Sequence, residues 1–277
     1  MAAVLRPRRW PVAAAGHDGA MPNPTIVLLH GQPDTSASFL ALRRGLLHRL
    51  PGVRVLVPDR PGYGANPLPA RDFTGNVGWL LDWLAGADAG PTVLLGHSWA
   101  GGVAALAAAD APDRVAGLVL LASIGPSCLL GMDWVLATPV VGGLIAWSTL
   151  QLGRPVISRR ARRLITVQHS ADQPFALASG LAMRHRPVWR SFLTEQRALI
   201  RELPGIERAL GRIHQPTAII SGHRDPLIPA TTPAELQRRI AGATGHRIEG
   251  GHDLQLRAPE TVAELVAGFV GPMLAGR

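Results

Sequence analysis

Lysine is missing from this chain: all 28 basic residues are arginine. So uniform a bias reflects composition more than selection for a ligand, and the plain reading of the +9 net charge is a solvated surface. There is one cysteine, Cys128, so no internal disulfide can form, which suits a reducing compartment. The apolar run Val12–Ala15 after Arg6, Arg8 and Arg9 breaks off at Gly16-His17-Asp18, too short for a secretory signal. The expected location is cytoplasmic. Zinc-ligand spacing, a Gly-rich phosphate loop, an RNA-binding aromatic motif and a basic recognition helix are also missing. No metal, cofactor or nucleic-acid partner is therefore expected.

What is there suits a globular protein. Of 277 residues 47% are apolar and 17% charged, enough to bury a large core as one domain or as a core with an insertion. Thr25–His30 is a buried-strand run closed by Gly31. Ser38–Leu50 has helical spacing. Val53–Asp59 is a strand stopped by the Arg60-Pro61-Gly62 turn. Val77–Ala85 reads as helix, Thr92–Gly96 as strand, Ala100–Asp110 as an Ala-rich helix and Val115–Ser123 as another apolar run. This rhythm predicts a mostly parallel sheet covered on both faces.

From about Gly125 to Pro204 no strand is legible. The segment reads as helices broken at Pro139, Gly142-Gly143, Pro155, Pro174 and Pro187. The alternation then returns with strand Thr217–Ser221, helix Pro233–Ile240, strand His246–Glu249 and helix Glu260–Leu274. The division is a core over 1–125, a helical cap over 126–205 and the rest of the core over 206–277. A further strand is expected near Trp10–Ala14.

Gly96-His97-Ser98-Trp99-Ala100-Gly101-Gly102 lies between a strand and a helix. A sharp turn there lifts the Ser98 hydroxyl clear of the sheet and requires small residues on either side, which Gly96 and Ala100 supply. The new helix also aims its N–H groups at the serine. The plain alternative is a Gly-Ser turn capping an ordinary helix.

With these residues the sequence resembles the α/β-hydrolase superfamily, in the branch with an H-G-x-P loop and a helical cap. His30-Gly31-Gln32-Pro33, Asp59-Arg60-Pro61-Gly62-Tyr63-Gly64, the Ser98 segment, Ser221-Gly222-His223-Arg224-Asp225-Pro226 and Gly250-Gly251-His252 come in the family's order. The resemblance implies an α/β-hydrolase fold with the cap inserted after the sixth strand. It makes Ser98 the nucleophile, Asp225 the acid and His252 the base. It gives the oxyanion donors as the backbone N–H groups of Gln32 and Trp99. Ala100 departs from the usual final Gly of the elbow. The elbow holds Ser rather than Asp, which argues against alkyl-enzyme chemistry.

A serine hydroxyl needs a neighbouring imidazole as base, and the imidazole a carboxylate to fix its tautomer. In an open parallel sheet the loops carrying all three converge on one edge. Asp34, Asp59 and Asp253 are rival carboxylates, with Asp59 read as structural, and His223 is a weaker alternative base. His30 and His97 flank the site and are expected to support loops by hydrogen bonding.

Trp134–Leu152 has no charged residue and nears the length of a membrane span, but Pro139 and Gly142-Gly143 interrupt it. It is expected to line an apolar pocket beneath the cap. His30, Trp134 and Trp147 are the candidate pocket residues, and membrane-surface contact is the lesser reading. The basic excess concentrates between Ser127 and Gly205, with ten Arg against four acids and its densest run at Arg159-Arg160 and Arg162-Arg163. That run is either an exposed helix face or an attractor for an anionic substrate or a lipid surface.

The expected function is cleavage of a carboxylic ester or related acyl bond of an apolar small molecule, by a monomer or homodimer. C–C, thioester and perhydrolytic reactions on the same three residues are alternatives. A binding protein with a vestigial triad is a third.

Overall fold

Ile26, Val27, Leu28 and Leu29 have no exposed surface, as a strand covered on both faces requires. They form most of β1 (Thr25–Leu29). The strands β2 (Arg54–Leu56), β3 (Thr92–His97), β4 (Val115–Leu121), β5 (Thr217–Gly222) and β6 (Thr244–Ile248) complete one sheet. The computed structural model describes residues 24–152 and 188–274. Within them the strand order is β2-β1-β3-β4-β5-β6, and every pairing is parallel.

Parallel neighbours need crossovers, and helices supply them. They are α1 (Leu40–Arg49), α2 (Phe73–Gly86), α3 (Trp99–Asp110), α4 (Gly131–Ala137), α5 (Val141–Trp147), α6 (Val188–Ala209) and α7 (Thr231–Arg239), while α8 (Leu254–Arg257) and α9 (Pro259–Leu274) follow the last strand. On one sheet face Leu42 and Leu46 of α1 and Val262 and Val266 of α9 share a core with Ile26, Leu28, Val93 and Leu95. On the other, Phe73, Leu80, Val103, Leu199 and Ile206 share one with Val27, Leu29, Leu94 and Leu118. Each such side chain contributes roughly 1.5–3 kcal/mol by leaving water.

The helical insertion enters after β4 and returns through α6. Four described strands precede it, and the strand expected at Trp10–Ala14 lies outside the described residues. The break at Pro139 separates α4 from α5. Gly142-Gly143 does not break α5; a Cβ on Gly142 would stand 2.0 Å from the Leu136 carbonyl oxygen, so this glycine lets α5 fold tightly against α4. α6 runs unbroken past Pro204, so the expected boundary at 205/206 falls inside it. The breaks expected at Pro155, Pro174 and Pro187 lie outside the described residues.

The C-terminal ends of β1, β3, β5 and β6 deliver Gln32, Ser98, Asp225 and His252 to one edge. β1 and β3 are neighbours while β2 and β4 flank them on opposite sides. The crevice of an open α/β sheet opens at such a reversal, and the loop after β1 meets Ser98 there through Gly31.

Candidate active site

Ser98 has φ +54° and ψ −122°, a backbone conformation that a non-glycine residue holds at a cost of about 1–3 kcal/mol. Its surroundings enforce it. Ser98 N–H donates to the Leu121 carbonyl at 3.0 Å, and the Ser98 carbonyl accepts from Gly101 and Ile124. A Cβ on Gly96 would stand 2.5 Å from the Ala100 carbonyl oxygen, and one on Gly101 would stand 1.9 Å from Ser123 Oγ. The strand and helix therefore meet on glycine at 96 and 101, while position 100 accommodates the Ala100 methyl with no exposure.

His252 joins Ser98 to Asp225. Its Nδ1 lies 2.9 Å from Asp225 Oδ2 and 3.1 Å from Oδ1. An ionised carboxylate only accepts, so Nδ1 carries the proton and Nε2 turns its lone pair to Ser98 Oγ, 2.9 Å away. Asp225 Oδ1 also accepts from the N–H groups of Leu227 at 2.9 Å and Ile228 at 3.0 Å. Burial alone would raise the Asp225 pKa. The hydrogen bond and charge of His252, with the two N–H groups, outweigh it and hold the carboxyl below its usual range. The His252 and Asp225 side chains are only 10% and 5% exposed.

His97 supports this chain from behind. Its Nε2 donates to the His252 carbonyl at 3.2 Å. Burial first, then His252, lowers its pKa to about 3, so it stays neutral. Asp59 accepts from Ser36 and Ala65 N–H and holds its own turn. His223 is exposed, and His252 occupies the position beside Ser98 and Asp225.

Trp99 opens α3, so its N–H has no intrahelical acceptor. Gln32 follows Gly31, where a Cβ would lie 2.9 Å from Ser98 Cβ. Trp99 therefore adjoins Ser98 along the chain, and Gly31, the residue before Gln32, lies against Ser98.

Beneath them lies a buried polar cluster. Arg60 Nε donates to the His30 carbonyl at 2.7 Å, and its NH2 nitrogen donates to the Gly31 carbonyl at 2.9 Å. Its guanidinium carbon sits 4.7 Å from the Trp99 ring centroid, within cation–π range. Arg60 is ion-paired with Glu195 of α6, and Tyr63 donates to Glu195 Oε2 at 2.7 Å. Burial raises the Glu195 carboxyl above its usual range, while Arg60 and Tyr63 pull it back.

His30 belongs to this cluster. It is fully buried, with Nδ1 donating to the Gly31 carbonyl and Nε2 accepting from Arg60 N–H. Burial, then Arg60, pushes its pKa well below the usual value. Its ring is thus committed to the loop and does not present a face to a substrate, a correction to its place among the pocket candidates. Trp134 is 56% exposed on α4. Trp147 borders a cavity of about 510 Å³ with Leu144, Trp189, Leu193 and Arg197, apart from Ser98, Asp225 and His252. The run Arg159–Arg163 lies outside the described residues. Arg197 donates to the Ala137 and Pro139 carbonyls, and Arg201 pairs with Asp72 and Glu202. Among the described residues no single helix is long and apolar enough to cross a membrane, and the α4–α5 stretch bends by 99°.

Arg60, Glu195 and Gln196 were not singled out from sequence. A signal was present: Glu195 heads the apolar series Ala198, Leu199, Leu203 and Ile206 on α6, and an acid on such a stripe implies a buried partner.

A family model described as the alpha/beta hydrolase family matches residues 26–265. The magnesium-chelatase 30 kDa subunit of Rhodobacter capsulatus is 28% identical, over 96% of this chain and 91% of its own length. A haloalkane dehalogenase of Mycolicibacterium paratuberculosis is 28% identical, over 90% of this chain and 85% of its own. Among solved structures, an esterase from Exiguobacterium antarcticum superposes with a TM-score of 0.69 at 20% identity, covering 93% of this chain and 98% of its own. That likeness speaks to the fold alone.

Proposed function

The chain belongs to the alpha/beta hydrolase family, and on that premise we propose that it is a serine hydrolase cleaving a carboxylic ester or related acyl bond of an apolar small molecule. The observation that carries the proposal is the hydrogen-bonded series Ser98 Oγ, His252 Nε2, His252 Nδ1 and Asp225, with Ser98 held in a strained turn at a helix start.

In this mechanism Ser98 Oγ attacks the substrate carbonyl carbon while its proton passes to His252 Nε2. Asp225 stabilises the imidazolium through Nδ1–H. The carbonyl oxygen takes up the electron pair and is held by the N–H groups of Trp99 and Gln32, each worth about 3 kcal/mol in the transition state. Collapse of the tetrahedral species breaks the ester C–O bond, and the His252 proton goes to the leaving alkoxide. A water then attacks the acyl-serine with His252 as base, releasing the acid and restoring Ser98.

The relatives named as haloalkane dehalogenases do not bring dehalogenation with them. Displacement of halide by Ser98 would leave an alkyl ether, which offers water no acyl carbon. Steady turnover of short p-nitrophenyl esters by the wild type, and none by Ser98→Ala, tests the proposal. Equal rates from both proteins would contradict it.

A second reading rests on the relative that aligns over 96% of this chain, which is named as a magnesium-chelatase subunit. Under it the chain works inside such an assembly. Co-elution with a magnesium chelatase, unaffected by Ser98→Ala and without ester turnover, would favour that reading.

A further inference from the structure

Two consecutive residues of α6 reach both residues assigned to the oxyanion. Gln196 Oε1 accepts from Gln32 Nε2 at 3.0 Å. The Glu195 carbonyl accepts from Trp99 Nε1 at 3.1 Å. The Glu195 carboxylate pairs with Arg60, which grips the carbonyls of His30 and Gly31 immediately before Gln32. Glu195 and Gln196 are buried, at 0% and 2% exposure.

The direction of the Gln196 link is set from α4. Asp133 Oδ2 accepts from the Leu130 N–H at 2.7 Å, and Oδ1 accepts from Gln196 Nε2 at 2.8 Å. A carboxylate at that end forces Gln196 to present its oxygen to Gln32, which must answer with its amide nitrogen. One unbroken series thus runs from the helical insertion to the loop beside Ser98.

We propose that Glu195 and Gln196 are positioning residues, which hold the N–H groups of Trp99 and Gln32 where the tetrahedral oxyanion forms. The inference rests on the serine-hydrolase reading above. Oxyanion donors act only over a narrow range of distances from the developing charge, so a small shift of the Gln32 loop weakens the transition state and leaves ground-state binding untouched. A link that merely fastened the insertion to the core would change KM and melting temperature instead.

The test is Gln196→Met, which keeps the buried stem and removes both amide hydrogen bonds. The expected result is a fall in kcat for a p-nitrophenyl ester of about 10-fold or more with KM within about twofold. The affinity of an alkyl boronate, whose adduct with Ser98 carries the tetrahedral oxygen, should fall in proportion. Gln32→Leu cuts the same link from the core side, retains the backbone N–H and should reproduce the loss if Gln196→Met folds poorly. An active wild type with unchanged kcat in Gln196→Met and Gln32→Leu overturns the inference alone. A change confined to KM and melting temperature, with kcat and boronate affinity unchanged, overturns it as well. A wild type that neither turns over esters nor reacts with a fluorophosphonate overturns the hydrolase reading and the inference with it.

Discussion

Arg60 and Glu195 form an ion pair in which neither side chain has any exposed surface. Removing one partner leaves the other charge buried and unpaired, at a cost of about 3–5 kcal/mol. Glu195→Ala should therefore melt far below wild type or fail to fold. Pairing it with Arg60→Met should recover only part of the loss, because the unpaired charge is gone but the His30 and Gly31 carbonyls and the Tyr63 hydroxyl stay without their buried partners. Thermal melts of the three proteins test this. A Glu195→Ala melting within about 2 °C of wild type would contradict it.

Asp225→Asn should abolish most turnover without unfolding the protein. The Leu227 and Ile228 N–H groups hold Oδ1, so the new amide nitrogen would replace Oδ2 and face His252 Nδ1. A donor there forces the proton to Nε2, which then cannot accept from Ser98. A fall in kcat of about 10⁴ is expected. Retention of a tenth or more of wild-type kcat would refute the tautomer argument.

Asp34 gives a pH-dependent stability. Burial, partly offset by Ser38 and the Thr35 N–H, raises its pKa to about 7 from 3.8. The folded state thus binds a proton that the unfolded state has lost, and stability falls as pH rises between those values. Asp34→Asn should show a melting advantage over wild type that grows from about pH 4 to pH 7 and is flat above. A difference independent of pH would show that the carboxyl is not held protonated.

The elbow separates two kinds of small residue. Gly96→Ala drives a methyl onto the Ala100 carbonyl oxygen at 2.5 Å, backbone that cannot move aside, and should cost both stability and activity. Ala100→Gly should cost only about 1 kcal/mol of helix stability and leave kcat intact. Loss of turnover in Ala100→Gly would place a role on that methyl which the geometry does not.

The sheet was legible because β1, β3, β4 and β5 are continuous apolar runs, and the order of the loops after β3, β5 and β6 placed Ser98, Asp225 and His252 on one edge. What escaped was set by contacts distant in sequence. Arg60 sits in a turn motif that reads as loop chemistry, yet it meets Glu195 across 135 positions. His30 reads as a pocket residue until Arg60 is seen to occupy its Nε2. Trp147 lies in a charge-free stretch that suggests a pocket lining, and the fold places it beside α6.

Ser98 as the nucleophile is the central claim, and the mass of the protein after reaction with a fluorophosphonate tests it most directly. The account predicts one adduct on the wild type, mapped to Ser98, none on Ser98→Ala, and labelling slowed at least about 10³-fold in His252→Ala. Equal labelling of wild type and Ser98→Ala, or an adduct on another residue, would contradict it.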